Sequence, residues 1–144
     1  MQITLNTQNL QINKIHHINF IVKDLEEAVI KYKKLLGGCE FIIDDLPQRK
    51  VKTARTLIGE QWFVLVQPTS DTGIPAEHLK EHGEGFFLLS FAVDDLEANT
   101  KRLEKEGFTM TAHQPRKGLE NWHIRDVDSK QTNNAQIQFC QEID

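Results

Sequence analysis

The chain has 144 residues, 39% of them hydrophobic and 26% charged, with a formal net charge of −4. That profile suits one ordinary globular domain and, without any Lys/Arg cluster, excludes nucleic acid as the main partner. No apolar run approaches the ~20 residues of a membrane span, so no membrane partner is expected.

The opening stretch MQITLNTQNLQINK lacks a signal-peptide core. Cys39 and Cys140 have no CxxC spacing, so the expectation is a cytoplasmic protein with two reduced thiols. Residues 14–22, rich in Ile, Phe and Val and bounded by polar residues, predict a strand. Asp24 then caps a helix, and Glu27 completes a capping-box-like pair. Leu25, Ala28, Val29, Tyr32, Leu35 and Leu36 recur at helical spacing until Gly37 and Gly38 stop it. Strands are predicted over residues 40–44, 51–58 and 61–67, the last two joined by a tight turn at Gly59-Glu60. QPTSDTGIPAEHLKEHGEG reads as a linker, with a short helix over residues 76–81. A strand over 86–93 and a helix over 96–106, ended by Gly107, come next. Strands near 109–113, 122–126 and 136–141 complete the chain.

The second half repeats the first. INFIVKDLEEAVIKYKKLLGG and LSFAVDDLEANTKRLEKEG align with Phe20 on Phe91, Val22 on Val93, Asp24 on Asp95 and Leu25 on Leu96, a separation of 71 residues. Two copies of one supersecondary unit are the economical explanation, because a solenoid needs ~3 or more.

Paired βαβββ modules of this length resemble the vicinal oxygen chelate superfamily, which includes glyoxalase I, methylmalonyl-CoA epimerase, extradiol dioxygenases and bleomycin-resistance proteins. IHHINFIVKDLEEAVIKYKKLLGG looks like that family's opening strand and helix. GIPAEHLKEHGEGFFLLSFAVDDLEA is similar to the epimerase stretch that opens the second module. The resemblance runs over residues 14–141 and implies an α+β fold within a single domain, residues 1–144. Module one would cover about 14–67, the linker 68–84 and module two 85–141. Together they would form a cupped eight-stranded mixed sheet with helices outside and a cavity inside.

The resemblance also implies one metal ligand from each of four strands, at His17, Val64, Leu88 and Gln138. Val64 and Leu88 have no lone pair to donate, and one imidazole with one amide is a poor set for Mg²⁺, Mn²⁺ or Fe²⁺. A one-residue slip of register brings only Phe63 or Leu65, and Phe87 or Leu89, to those positions. No cofactor is therefore expected; a divalent metal, disfavoured, would rest on His17 and Gln138 alone.

The polar candidates for a cavity are His17, Asn19, Arg55, His123, Arg125 and Gln138. Strand alternation puts His17, Asn19 and Ile21 on one face and turns His16 away from His17. Each candidate has a plainer reading: His17 as a hydrogen-bonded interior residue, Arg55 on a wet strand face, Arg125 bracing a turn through Asp126 or Asp128. Asp44-Asp45 and Asp94-Asp95 read as turn and cap charges rather than paired catalytic carboxylates. No catalytic residue is assigned. Two functions compete: a glyoxalase- or epimerase-like lyase or isomerase with a rebuilt site, and a metal-free binding or sequestering protein of the bleomycin-resistance type. Either takes a small-molecule ligand, and the resemblance implies a homodimer.

Overall fold

The computed structural model describes residues 12–143; residues 1–11, most of the stretch read as lacking a signal-peptide core, lie outside them. In chain order the elements are β1 (Ile12–Ile21), α1 (Leu25–Leu35), β2 (Ile42–Leu46), β3 (Val51–Ile58), β4 (Gln61–Pro68), α2 (Ile74–His82), β5 (Gly85–Val93), α3 (Leu96–Lys105), β6 (Arg116–Lys117), β7 (Trp122–Asp126) and β8 (Gln136–Glu142). The strands form one eight-stranded sheet in the order β2-β3-β4-β1-β5-β8-β7-β6. It is mixed: β1 and β4 run parallel, while β2–β3, β3–β4, β6–β7 and β7–β8 are antiparallel. This is the α+β fold that the family resemblance implies. No helix among the described residues is long and apolar enough to cross a membrane.

Two compact units divide the chain, one of residues 16–89 and one of residues 12–15 with 90–143. In the first, α1 starts because its orphan N–H groups find side-chain acceptors. Asp24 accepts from the Glu27 N–H at 3.1 Å, and Gln67 Oε1 accepts from the Leu25 N–H at 2.8 Å. The helix ends before Gly37 and Gly38, whose φ of 81° and 91° place them in the left-handed region that glycine tolerates. Its apolar stripe, Leu25 and Ala28, packs with Val22, Ala54 and Leu65, and with Phe20, Phe63 and Tyr32 around them. Burying each large side chain of that layer contributes ~1.5–3 kcal/mol. The opposite face of the same strands carries Ile21, Val51, Val64 and Val66, clustered with Phe87 and Leu88. The short helix read over 76–81 forms and is longer, spanning Ile74–His82.

The second unit repeats these devices. Asp95 accepts from the Ala98 N–H at 3.0 Å, and Gln141 Oε1 accepts from the Leu96 N–H at 2.8 Å. Val93, Leu96, Leu103, Val127 and Phe139 form its core. One element departs from the expectation. Residues 109–113 make no strand: only an isolated bridge joins Met110 to Val127, and the strand at this place is the two-residue β6. Around that bridge the Thr111 N–H donates to the Asp126 carbonyl and the Asp128 N–H to the Thr109 carbonyl, each at 2.9 Å. On either side, side chains take the backbone groups: the Thr109 N–H donates to the Gln131 amide oxygen at 2.7 Å, and the Ala112 carbonyl accepts from Arg125 at 3.0 Å. Gly118 lets β6 turn into β7, since a Cβ there would come 2.7 Å from Ile124 Cδ1.

Candidate functional site

In the unit of residues 16–89, ladder registers fix which side chains share a face. Asn19 lies opposite Val64, and Val64 opposite Arg55. His17 lies opposite Trp62, and Thr53 opposite Val66 and Asp44. Because neighbours across a ladder point the same way, these residues all lie on the face away from α1. The layer is apolar with polar inclusions: Val64 is 1% exposed, Thr53 and Arg55 each 3%.

Arg55 is the charged group of this layer. A buried guanidinium needs an anion, and Asp44 supplies it through a charge-assisted hydrogen bond from Nη1 to Oδ2. The guanidinium carbon also sits 5.2 Å from the centre of the Trp62 ring, within cation–π range. Arg55 is thus neither on a wet strand face nor unneutralised, and Asp44 is its counter-ion rather than a turn charge. Two polar atoms of the layer, Asn19 Oδ1 and Thr53 Oγ1, are buried with no hydrogen-bond partner among the described residues.

His17 is 2% exposed, and its surroundings differ from the simple alternation. His16 does not turn away. The two Nδ1 atoms lie 2.8 Å apart and the rings meet edge to face at 5.0 Å between centres. One nitrogen of the pair donates and the other accepts, so a hydrogen bond joins the two rings. Leu88, 7% exposed, packs in the cluster of Ile21, Val64 and Val66.

In the second unit, Gln138 is 2% exposed and faces Asp126 across the β7–β8 ladder. Its Nε2 donates to Asp126 Oδ1 at 3.0 Å. Asp126 is held by Arg116, with Nε to Oδ2 at 2.6 Å and Nη2 to Oδ1 at 3.1 Å, a bidentate fork. His123 and Arg125 lie on the other face, with their ladder partners Gln141 and Phe139, so the structure does not bring them together with Gln138. Arg125 donates to the Ala112 carbonyl at 3.0 Å, not to Asp126 or Asp128. Cys140 is fully buried, and burial pushes its thiol up from 9.0 to about 12.

Sequence reasoning missed Thr53, Asp44 and Arg116. They become visible once the repeat is carried strand by strand. Gln67 and Gln141 hold corresponding helix starts, which sets Val64 against Gln138. The registers then set Arg55 against Asp126, and Asp44 against Arg116. Each unit therefore carries an ion pair from its short outer strand to the next strand, with the charges exchanged between copies. The signal was present in the sequence, but only ladder register converts it into a pair.

A groove of about 350 Å³ opens on the other side of β1, at the first turns of α1. Phe20, Tyr32, Lys23, Lys31, Glu27 and Glu84 line it, a mixed set whose charges nearly cancel.

Comparison with known proteins agrees with this architecture. Residues 16–125 match the model of the Glyoxalase/Bleomycin resistance protein/Dioxygenase superfamily. No curated protein matches the sequence. Among solved structures, methylmalonyl-CoA epimerase from Mycobacterium tuberculosis superposes with a TM-score of 0.89 at 22% identity, over 98% of this chain and 94% of that one. A hypothetical protein from Bacillus halodurans gives 0.85 at 23% identity, over 91% and 95%. A variant of the Streptomyces coelicolor methylmalonyl-CoA epimerase, in complex with 2-nitronate-propionyl-CoA, gives 0.84 at 20% identity, over 92% and 99%. At these identities the likeness establishes the fold.

Proposed function

This chain belongs to the glyoxalase/bleomycin resistance protein/dioxygenase superfamily, and we propose on that footing that it is a metal-independent binding protein for a small, partly apolar carboxylate. The observation that carries the reading is the pair of buried, unpartnered oxygens, Asn19 Oδ1 and Thr53 Oγ1, on the face that holds Arg55. Leaving a buried polar group unpaired costs ~1–3 kcal/mol; a ligand that carries a hydroxyl or N–H beside its carboxylate offsets that cost, because the carboxylate itself only accepts. Ile21, Val64 and Val66 would meet the apolar part, and Arg55 the acid, in the usual pocket mixture of apolar wall and few polar anchors.

At the four positions implied by the family resemblance, metal chemistry fits poorly. Of these, Val64 and Leu88 are apolar and buried, and the Gln138 amide donates to Asp126. His17 alone is too little for a divalent ion that demands several N or O ligands. The Streptomyces neighbour holds an acyl-CoA analogue, so short acyl-CoA thioesters and free short-chain carboxylates are the ligands to try first.

The test combines metal analysis with calorimetry. Protein carrying His82→Ala and purified without chelator is expected to hold no stoichiometric metal and to bind a carboxylate from this set. Asn19→Leu and Thr53→Val should fold at least as stably as wild type, yet weaken that binding about tenfold, equivalent to ~1.4 kcal/mol. One tightly held metal per chain that survives His78→Gln and His82→Ala, or unchanged carboxylate affinity in both Asn19→Leu and Thr53→Val, overturns the reading.

The His16–His17 contact favours a second reading, an isomerase that moves a proton through this pair. Exchange of a substrate α-hydrogen with D₂O, lost in His17→Gln, would establish it; no exchange leaves binding alone. The same proposal takes the protein to be cytoplasmic and homodimeric, and light scattering that gives a monomer at micromolar concentration refutes the dimer.

A further inference from the structure

We propose that His78 and His82, one turn apart on α2, form a two-imidazole chelate for a borderline divalent ion of the Zn²⁺, Ni²⁺ and Cu²⁺ class, with Glu81 as a neighbouring oxygen donor. The site shares no residue with the proposed carboxylate site and does not depend on it.

The spacing comes first. Residues four apart on a helix stand on one face, and the two rings lie with centres 4.7 Å apart and planes tilted by 43°. Metal–nitrogen bonds of about 2.0–2.1 Å put the centres of two adjacent imidazoles on one ion at about 4.5–5.2 Å. The rings already stand at chelating separation.

Ring orientation is the second observation. His78 Nε2 lies 3.2 Å from the Phe86 carbonyl oxygen. That oxygen only accepts, so Nε2 carries the hydrogen and Nδ1 keeps its lone pair. Donation of the far N–H to a backbone carbonyl is how metal-bound histidines are commonly oriented. The Phe87 ring, edge-on at 4.8 Å, limits rotation of the imidazole further.

Charge and access complete the case. The Glu81 carboxylate is 3.7 Å from His82 Nε2. His82 closes the last turn of α2, at its partially negative C-terminal end, which favours a cation there. His82 is 62% exposed along its side chain, so water can fill the remaining coordination positions. Imidazole and carboxylate together select the zinc, nickel and copper class over Mg²⁺ and Ca²⁺, which prefer all-oxygen sites.

The experiment is calorimetric titration of the full chain with Ni²⁺, alongside electron paramagnetic resonance with Cu²⁺. Wild type is expected to bind one ion with two imidazole nitrogens in the copper spectrum. His82→Ala, an exposed position where folding is not at issue, should lose at least about tenfold in affinity and one nitrogen coupling. His78→Gln should do the same, with far-UV circular dichroism confirming its fold. His113→Ala should change nothing. Wild type that binds neither ion, or His82→Ala that binds like wild type with both couplings intact, overturns the proposal.

Discussion

Replacing Asp44 with Ala removes the counter-ion of a guanidinium that is 3% exposed, while Asp44 itself keeps 35% of its side chain in contact with solvent. Breaking a fully buried pair costs about 3–5 kcal/mol because an uncompensated charge stays inside. Here water reaches one side of the pair, so the range for a hydrogen bond to a charged group, about 1.5–3 kcal/mol, is the better measure. A loss near 2 kcal/mol follows, which for a chain of this size lowers Tm by roughly 4–8 °C. Adding Arg55→Leu in the same chain removes the guanidinium as well. It also gives up the Trp62 contact, worth about 0.5–1 kcal/mol. The double variant should therefore recover to within about 1 kcal/mol of wild type, as apolar replacement of whole ion pairs often does. Urea unfolding of wild type, both single variants and the double variant closes the cycle. The binding proposal adds an opposite sign: Asp44→Ala should bind carboxylates more tightly, because Arg55 no longer shares its charge. An Asp44→Ala midpoint unchanged from wild type, or a double variant that simply sums the singles, refutes the assignment of Asp44 and Arg55 as a coupled pair.

Thiol titration should find Cys39, half-buried, reacting first, with Cys140 protected until unfolding. Since the folded Cys140 thiol titrates near 12 and the unfolded one near 9.0, stability from this group is intact below pH 9 and declines as pH rises between those values; a flat unfolding free energy across that window would count against it. Gln67→Ala and Gln141→Ala each remove the acceptor for the first N–H of a helix and should each destabilise by about 0.5–1.5 kcal/mol. Equal losses within error would support the equivalence of the two positions; a silent Gln141→Ala would break it.

Much of the fold was legible because it is governed by local chemistry. Asp24 and Asp95 sit where short acceptors satisfy the first N–H groups of a helix, and the apolar spacing behind them has a helical period. The repeat doubled each signal, so most strands and both long helices were placed along the chain from one module read twice. The alternation along β1 likewise separated Asn19 and Ile21 from Phe20, and the core clusters divide them in the same way. What happens across strands was not legible. Whether Arg55 meets water or Asp44 depends on ladder register, which couples residues eleven positions apart through pairings no local pattern specifies. The same holds for Asp126, claimed by Arg116 rather than by the adjacent Arg125, because neighbours along a strand face opposite sides. The strand expected over residues 109–113 also turned on distant partners: its pairing stops at the Met110–Val127 bridge, with the Thr109 N–H taken by Gln131 from beyond β7 and the Ala112 carbonyl by Arg125. Sequence alone thus determined the elements and their faces, through capping, period and repetition. Tertiary structure decided the partners, because a buried charge or amide is satisfied by whatever the folded chain carries within hydrogen-bond reach.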